Sequence, residues 1–215
     1  MTTLADIISR VRTRIRDPHA HLGVLDNDAM INLANGTLLT LRDYLQNLES
    51  SLVYAAGTIT TVDGTPEYTP SFDHEGFLDH GVWLDGEEWY LSLGSEADKM
   101  AYDVGSSTNQ PERYYHTEDG DVGFLWVPDD AYTVHVLYWK PLTVLTATTD
   151  TIPWRGIWDS VIERHIALAC LEVLERDVSV AAQHLGIAMS QATQKTYTLG
   201  CRRHTRRSGF FVEGC

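Results

Sequence analysis

The chain has 215 residues, 43% of them hydrophobic and 10% aromatic, and a formal charge of −14. That length holds one good core, or a small β-domain beside a helical layer, and excludes two large independent domains; the apolar fraction excludes a disordered chain. Acids crowd between Asp63 and Asp130, opposed there only by Lys99 and Arg113, while Val178 to Val212 holds no Asp or Glu and carries Lys195, Arg202, Arg203, Arg206 and Arg207.

An acidic body disfavours general binding to duplex DNA, where affinity comes mainly from cations displacing counterions. The basic stretch near the end suits a phosphate or an acidic protein groove, or is simply solvated and favourable to a helix dipole. No apolar run approaches the roughly 18 to 20 residues that cross a bilayer, and Met1 to Arg16 lacks the order of a signal peptide. The chain is therefore expected to stay in the cytoplasm and to have no membrane partner.

Leu4, Ile7, Ile8, Val11 and Ile15 recur at helical spacing, with Arg10, Arg12, Arg14 and Arg16 largely off that stripe. Thr3 followed by Asp6 predicts a capping box, and Asp17-Pro18 predicts the stop. After the loop HAHLGVL, Asp26 or Asn27 caps a second helix lasting to about Glu49. Its apolar face is Met30, Ala34, Leu38, Leu41, Leu45 and Leu48; Leu33 and Leu39 lie outside it.

From Leu52 the apolar period falls to two, and Gly, Pro, Asp and Asn punctuate short runs. Strands are expected near Val53 to Val62, Val82 to Leu84, Glu88 to Leu93, Arg113 to Thr117, Val122 to Val127 and Tyr132 to Trp139. Asp85-Gly86 suits a tight hairpin of the primed type. Glu118-Asp119-Gly120-Asp121 resembles a fragment of a calcium loop, yet the full ligand series is missing. It reads better as a hairpin turn between Tyr115 and Phe124.

In the last strand Tyr132, Val134, Val136 and Tyr138 alternate with Thr133, His135, Leu137 and Trp139. Both faces are substantially apolar, which calls for cover on both sides: the helices on one, another subunit on the other. Tyr132, Val134, Val136, Tyr138, Leu137 and Trp139 are the expected subunit interface.

A Thr-rich linker follows Lys140-Pro141 and leads to Ile152-Pro153, a suitable helix start because proline in the first turn loses no needed donor. Ile157, Val161, His165, Leu168 and Glu172 fall on one side of that helix. Trp158, Ile162, Ala169, Val173 and Arg176 fall on another, and Ala167 and Ala169 allow close packing. Asp177 or Ser179 restarts a final helix despite Gly186 and Gly200. The end, SGFFVEGC, reads as a flexible tail. Docked in a pocket, Phe210 and Phe211 could each contribute about 1.5 to 3 kcal/mol before ordering costs; the alternative is that they fold back onto their own domain.

Catalytic constellations fail one by one. His19-x-His21 stands alone in a loop, and no helix carries HExxH spacing. Cys170, Cys201 and Cys215 form no CxxC pattern and read as reduced thiols. His165 sits on an apolar side, where a satisfied buried histidine is the commoner outcome. GxSxG, P-loop and GxGxxG motifs are all missing. No catalytic, metal or cofactor residue is assigned.

The expected fold is α+β: an N-terminal helix pair and long C-terminal helices forming a helical layer, a central antiparallel β-domain and an extended C-terminal tail. Residues 1–50 and 151–207 make the helical core, 51–150 the inserted β-domain, and 208–215 the tail.

The phrases TLADIISRVRTRIRD and DNDAMINLANGTLLTLRDYL, with Asn32 and Asn35 on the second helix, are followed by GTPEYT, QPERYY, LWVPDDAYTVHVLYWKPL and TDTIPWRGIWDSVIERHIALACLEVLERD. In that order, over nearly the whole chain, they resemble the head-to-tail adaptor, or connector, proteins of tailed bacteriophages. Phe77 to Val82 departs from the usual run into the sheet. The resemblance implies a ring of copies, typically a dodecamer, assembled in the host cytoplasm and residing in the virion neck. Its partners would be the portal protein and tail or nozzle proteins, with DNA passing through the channel without specific binding. Helices would pack around that channel, the β-domain would project toward the tail, and Arg202, Arg203, Arg206, Arg207, Phe210 and Phe211 would carry portal docking. Two other readings stay open: another neck or tail component, such as a tail terminator or baseplate subunit, and a carboxylate-dependent cell-wall glycan hydrolase.

Overall fold

The computed structural model of the chain describes residues 2–16, 25–95, 98, 108–117, 119–154 and 156–207, with side chains followed to residue 196. It divides into two compact units: residues 1–52 with 142–215, and residues 53–141. The architecture is α+β. Among the described residues no helix is long and apolar enough to cross a membrane.

The first unit is helical. Helix α1 (Leu4–Arg14) begins with the expected capping box: Asp6 N–H donates to Thr3 Oγ1 at 3.3 Å, and Asp6 Oδ2 accepts from Thr3 N–H at 2.9 Å. These bonds hold the Asp6 carboxyl below its usual range. Helix α2 (Asn27–Asn47) is capped by Asp26, whose Oδ1 accepts from Ala29 N–H at 2.8 Å. Met30, Ala34, Leu38, Leu41 and Leu45 are buried as the period predicts, joined by Ile31 and Thr37. Leu48 is only half-buried and Leu39 is exposed.

Helix α3 (Asp159–Val173) starts six residues later than Pro153 suggested. Trp154 (φ 56°) and Gly156 (φ 84°) are left-handed, which no continuous α-helix accommodates. Those residues follow a turn, closed by Asp150 N–H donating to Ala147 O, and a single bridge of Thr151 to Thr3, which together hold the N-terminus: Leu4 N–H donates to Asp150 O, Ala5 N–H to Thr148 O and Ile152 N–H to Thr2 O. The buried stripe of α3 also differs from the two expected sides. Val161, Ile162, Glu163, Ile166, Ala167 and Cys170 are buried, whereas Leu168 and Ala169 are half-buried and Glu172 and Val173 exposed. The reason is that α3 packs against α1, α2 and the last helix together. Its first three turns are enclosed over a broad arc and its last turn is not. Helix α4 (Ser179–Arg207) starts where Asp177 Oδ1 accepts from Ser179 N–H at 2.9 Å, and it buries Leu185, Ala188 and Ala192.

Among its described residues the second unit holds seven strands: β1 (Tyr54–Thr60), β2 (Glu67–Tyr68), β3 (Phe77–Leu84), β4 (Ser92–Leu93), β5 (Arg113–His116), β6 (Val122–Phe124) and β7 (Thr133–Trp139). They form two sheets, ordered β1-β7-β3 and β2-β6-β5-β4. All pairs are antiparallel except β4 with β5. The core lies between the sheets, with Ile59, Val82, Leu84, Val134 and Val136 from one meeting Tyr114, Val122 and Phe124 from the other. One glycine permits that packing, since a Cβ at Gly57 would strike the ring of Phe72; on the other face of the second sheet a Cβ at Gly123 would strike the ring of Tyr115.

Several strand limits moved for non-local reasons. Strand β3 is longer than expected because a register shift between Phe77 and Val82, with His80 at φ 57°, absorbs the irregular FLDHG phrase. Strand β4 is shorter because the chain leaves β3 at the Trp83–Tyr90 bridge and crosses to the other sheet, where it runs parallel to β5. At Asp85-Gly86 only the glycine has positive φ, so the turn is not the doubly positive primed form. The short β2, between Pro66 and Pro70, has too few residues to show a period.

Candidate functional site

Among the described residues no group of three His, Cys, Asp or Glu side chains gathers as a metal site. His19 and His21 lie outside the described residues. His165 Nδ1 meets Thr37 Oγ1 at 3.2 Å, and burial pushes its pKa down. Cys170 is buried against Met30, Sγ to Sδ 3.5 Å. The turn from Thr117 to Asp121 is a hairpin closure: Thr117 N–H donates to Asp121 O, Asp121 N–H donates to Thr117 Oγ1, and Gly120 supplies the positive φ.

Among the described residues of the helical unit the one buried carboxylate, Glu163, is held between α1 and α3. Arg14 donates to Oε1 through Nε at 2.9 Å and Nη2 at 2.5 Å, while Arg10 Nε lies 3.3 Å from Oε2. A carboxylate shared by two guanidiniums is an ion-paired strut between the two helices. The spacing of Arg10 and Arg14, four residues apart on α1, was the only trace of it in the sequence. Their common partner lies on a distant helix.

The expected interface strand divides in two. Val134 and Val136 are completely buried in the unit's own core. The second sheet covers that face of β7, so neither valine is available to a partner. Tyr138 stacks on Phe72 with ring centroids 4.2 Å apart. Tyr132 Oη donates to Asp129 Oδ1 at 2.7 Å, which together with burial and the Asp129 and Asp130 charges pushes the phenol up to about 12. Leu137 and Trp139 occupy the opposite face, half-buried, where Trp139 meets Tyr54 edge-on and Trp83 stacks on His135. Of the six residues, these two suit a subunit contact by position.

Arg202, Arg203, Arg206 and Arg207 fall in the last two turns of α4. Phe210 and Phe211 lie outside the described residues. Further back on α4, a groove of about 570 Å³ is lined by Tyr44, Gly186, Met189, Ser190, Thr193 and Gln194. Tyr44 Oη and Thr193 Oγ1 share a hydrogen bond of 2.9 Å at its floor. Ile187, on the same helix, is 52% exposed.

Charge separates along the same division. Residues 53–141 contain seventeen Asp and Glu against Lys99, Arg113 and Lys140, so this unit alone accounts for the chain's −14. The helical unit is balanced, with thirteen cations against thirteen acids; four of the cations lie between Arg10 and Arg16 and four in the last two turns of α4. The family model described as SU10 adaptor protein matches residues 2–207. No curated protein matches the chain.

Proposed function

The chain belongs to the SU10 adaptor protein family, and from that premise we propose that it is a structural component of a phage virion: a head-to-tail adaptor in the neck. Twelve copies would form a ring beneath the capsid portal and join it to tail or nozzle proteins, leaving a channel for DNA during packaging and ejection. The observation that carries this reading is the charge division, with −14 on residues 53–141 and no net charge on the helical unit.

An acidic unit repeated around the tail-side end of the channel repels DNA and lets it slide through without adhering. The arginines that end α4 are the opposite case. Together with Phe210 and Phe211, Arg202, Arg203, Arg206 and Arg207 are assigned to portal docking. Each contact is weak alone, and ring symmetry multiplies it through effective concentration. Leu137 and Trp139 are assigned to the contact between neighbouring copies.

Deletion of 202–215 tests the assignment. The truncated chain should keep its circular dichroism and melting temperature and lose binding to purified portal; unchanged binding would overturn the docking role. Electron microscopy of particles should place the density against the portal. Density further down the tail would assign the chain to another neck or tail component.

A further inference from the structure

Strand β1 has an open edge, and the backbone bonds show which of its groups are available. Trp139 uses both of its backbone groups on the β3 side, donating to Gly76 O at 2.9 Å and accepting from Glu75 N–H at 3.0 Å; Thr133 O likewise accepts from Asp85 N–H at 2.8 Å. The even-numbered positions therefore bond toward β1, as Tyr132 O from Thr61 N–H and Lys140 N–H to Val53 O confirm. The register pairs Ala55 with Tyr138, Gly57 with Val136 and Ile59 with Val134. Tyr54, Ala56, Thr58 and Thr60 consequently direct their N–H and C=O groups away from the sheet. Among the described residues nothing bonds them.

This edge carries none of the usual protections. YAAGTIT has no charge and no proline, its pairing with β7 runs without a bulge, and Ala56, Thr58 and Thr60 are exposed. The other edges differ. Strand β3 is flanked by Tyr90 and Leu91, with Leu91 N–H donating to Val82 O at 2.7 Å, and β2 and β4 have two residues each. Charge then selects the occupant. Pairing β1 with β1 of another copy would bring together two units of −14 each. At the Thr60 end stand the exposed Asp63, Asp129 and Asp130, with Asp130 O accepting from Thr61 Oγ1 at 2.9 Å. At the Tyr54 end stands Lys140.

We propose that β1 is a strand-addition site for an extended segment of a different polypeptide, running antiparallel to β1 with Lys or Arg at its N-terminal flank. Antiparallel pairing sets that flank beside Asp63, Asp129 and Asp130 and keeps it away from Lys140. Main-chain bonds supply affinity, and the flanking charge supplies direction. This inference is independent of the adaptor reading, since it rests on the register and charge of one sheet.

The test uses the full chain and three capped nine-residue probes: Lys-Arg followed by alternating Thr and Val, the same residues in reverse order, and the first peptide N-methylated on alternate amides. Binding is read by fluorescence polarisation, and amide exchange is followed at Ala56, Thr58 and Thr60. The first probe should bind and slow exchange at those three amides; the reversed probe should bind roughly tenfold more weakly, and the N-methylated probe not at all. Thr58→Pro removes an outward donor without touching a β7 bond, so it should keep the melting temperature and abolish binding. Equal binding of direct and reversed probes, or undiminished binding to folded T58P, overturns the proposal. So does failure of the first probe to bind, or a dimer of the free chain that T58P dissolves, which would make a second copy the occupant. If T58P fails to fold, the N-methylated probe decides the question.

Discussion

Asn35 and Leu145 hold each other by two hydrogen bonds: Asn35 Nδ2 donates to Leu145 O, and Leu145 N–H donates to Asn35 Oδ1, each at 2.9 Å. The side-chain amide on α2 thus imitates a neighbouring strand and fixes the linker that returns to α3. Asn35→Leu removes both bonds and leaves a part-buried N–H and C=O unmet, so it should destabilise the helical unit by about 1–3 kcal/mol. Asn35→Asp sets a carboxylate oxygen against Leu145 O, two acceptors face to face, and brings a charge into a part-buried site, so it should cost at least as much. Urea melts followed by far-ultraviolet circular dichroism, with the slope held constant, measure both; a neutral N35L would show that the linker is held elsewhere.

Glu163 should matter more than its exposed counterparts. Its side chain is 11% exposed, while those of Arg10 and Arg14 are 47% and 41% exposed. Removing the acid leaves two guanidiniums that water still reaches, so the loss falls short of that for a fully buried pair. Glu163→Ala should cost about 1–3 kcal/mol, and Glu163→Gln less, since the amide oxygen still accepts. A double-mutant cycle of Glu163 with Arg14 should return a coupling energy well above that of Arg42 with Asp43, whose acid is 59% exposed.

These two linkages also show what the sequence could and could not reveal. The α1 cap was legible because Thr3 and Asp6 lie three residues apart, and the α2 face was legible because one period runs unbroken from Met30 to Leu45. The start of α3 was not. Pro153 satisfies the local rule for a first turn, yet pairing of Thr2–Ala5 with the segment before it decides the backbone there. For β7 the alternation showed two apolar faces correctly, but nothing in the strand says that Tyr114, Val122 and Phe124 cover one of them. The arginine cluster of α4 was legible as composition. An open edge at β1 was not, because strand order is a tertiary property.

Acid should weaken the two units through different groups. Burial lowers the pKa of His116, with His74 adding to the effect, and burial also lowers that of His165. Each folded value lies below 6.5, so the unfolded chain binds more protons as the pH falls and stability rises with pH in that range. The stability these neutral histidines support is present above pH 6.5 and is lost as the pH drops through their folded values. Asp6, Asp150 and Asp177 are also lowered, by hydrogen bonds from backbone N–H groups, and their contribution is lost only as the pH falls below 3.8 through the folded values. Melting temperatures between pH 8 and 5 should therefore decline for the wild type and decline less for His116→Phe. An identical slope for the two would remove His116 from the account.

Gly123 gives the sharpest test of how β5 and β6 pack on the face turned away from the inter-sheet core. It lies on β6 opposite Tyr115, and the Tyr115 ring occupies the space a Cβ would need. That ring is 2% exposed and anchored at its far end, where Oη donates to Glu67 Oε1 at 2.7 Å. It has little room to withdraw, because moving would break the bond to β2 and expose a ring that is now 2% exposed. Gly123→Ala should then cost about 1–3 kcal/mol through overpacking, despite the gain in β propensity that alanine brings. Adding Glu67→Ala to G123A frees the ring tip, so the double mutant should lose less than the sum of the two single losses. Thermal melts of the four chains measure this; strict additivity would show that the ring is held by packing alone.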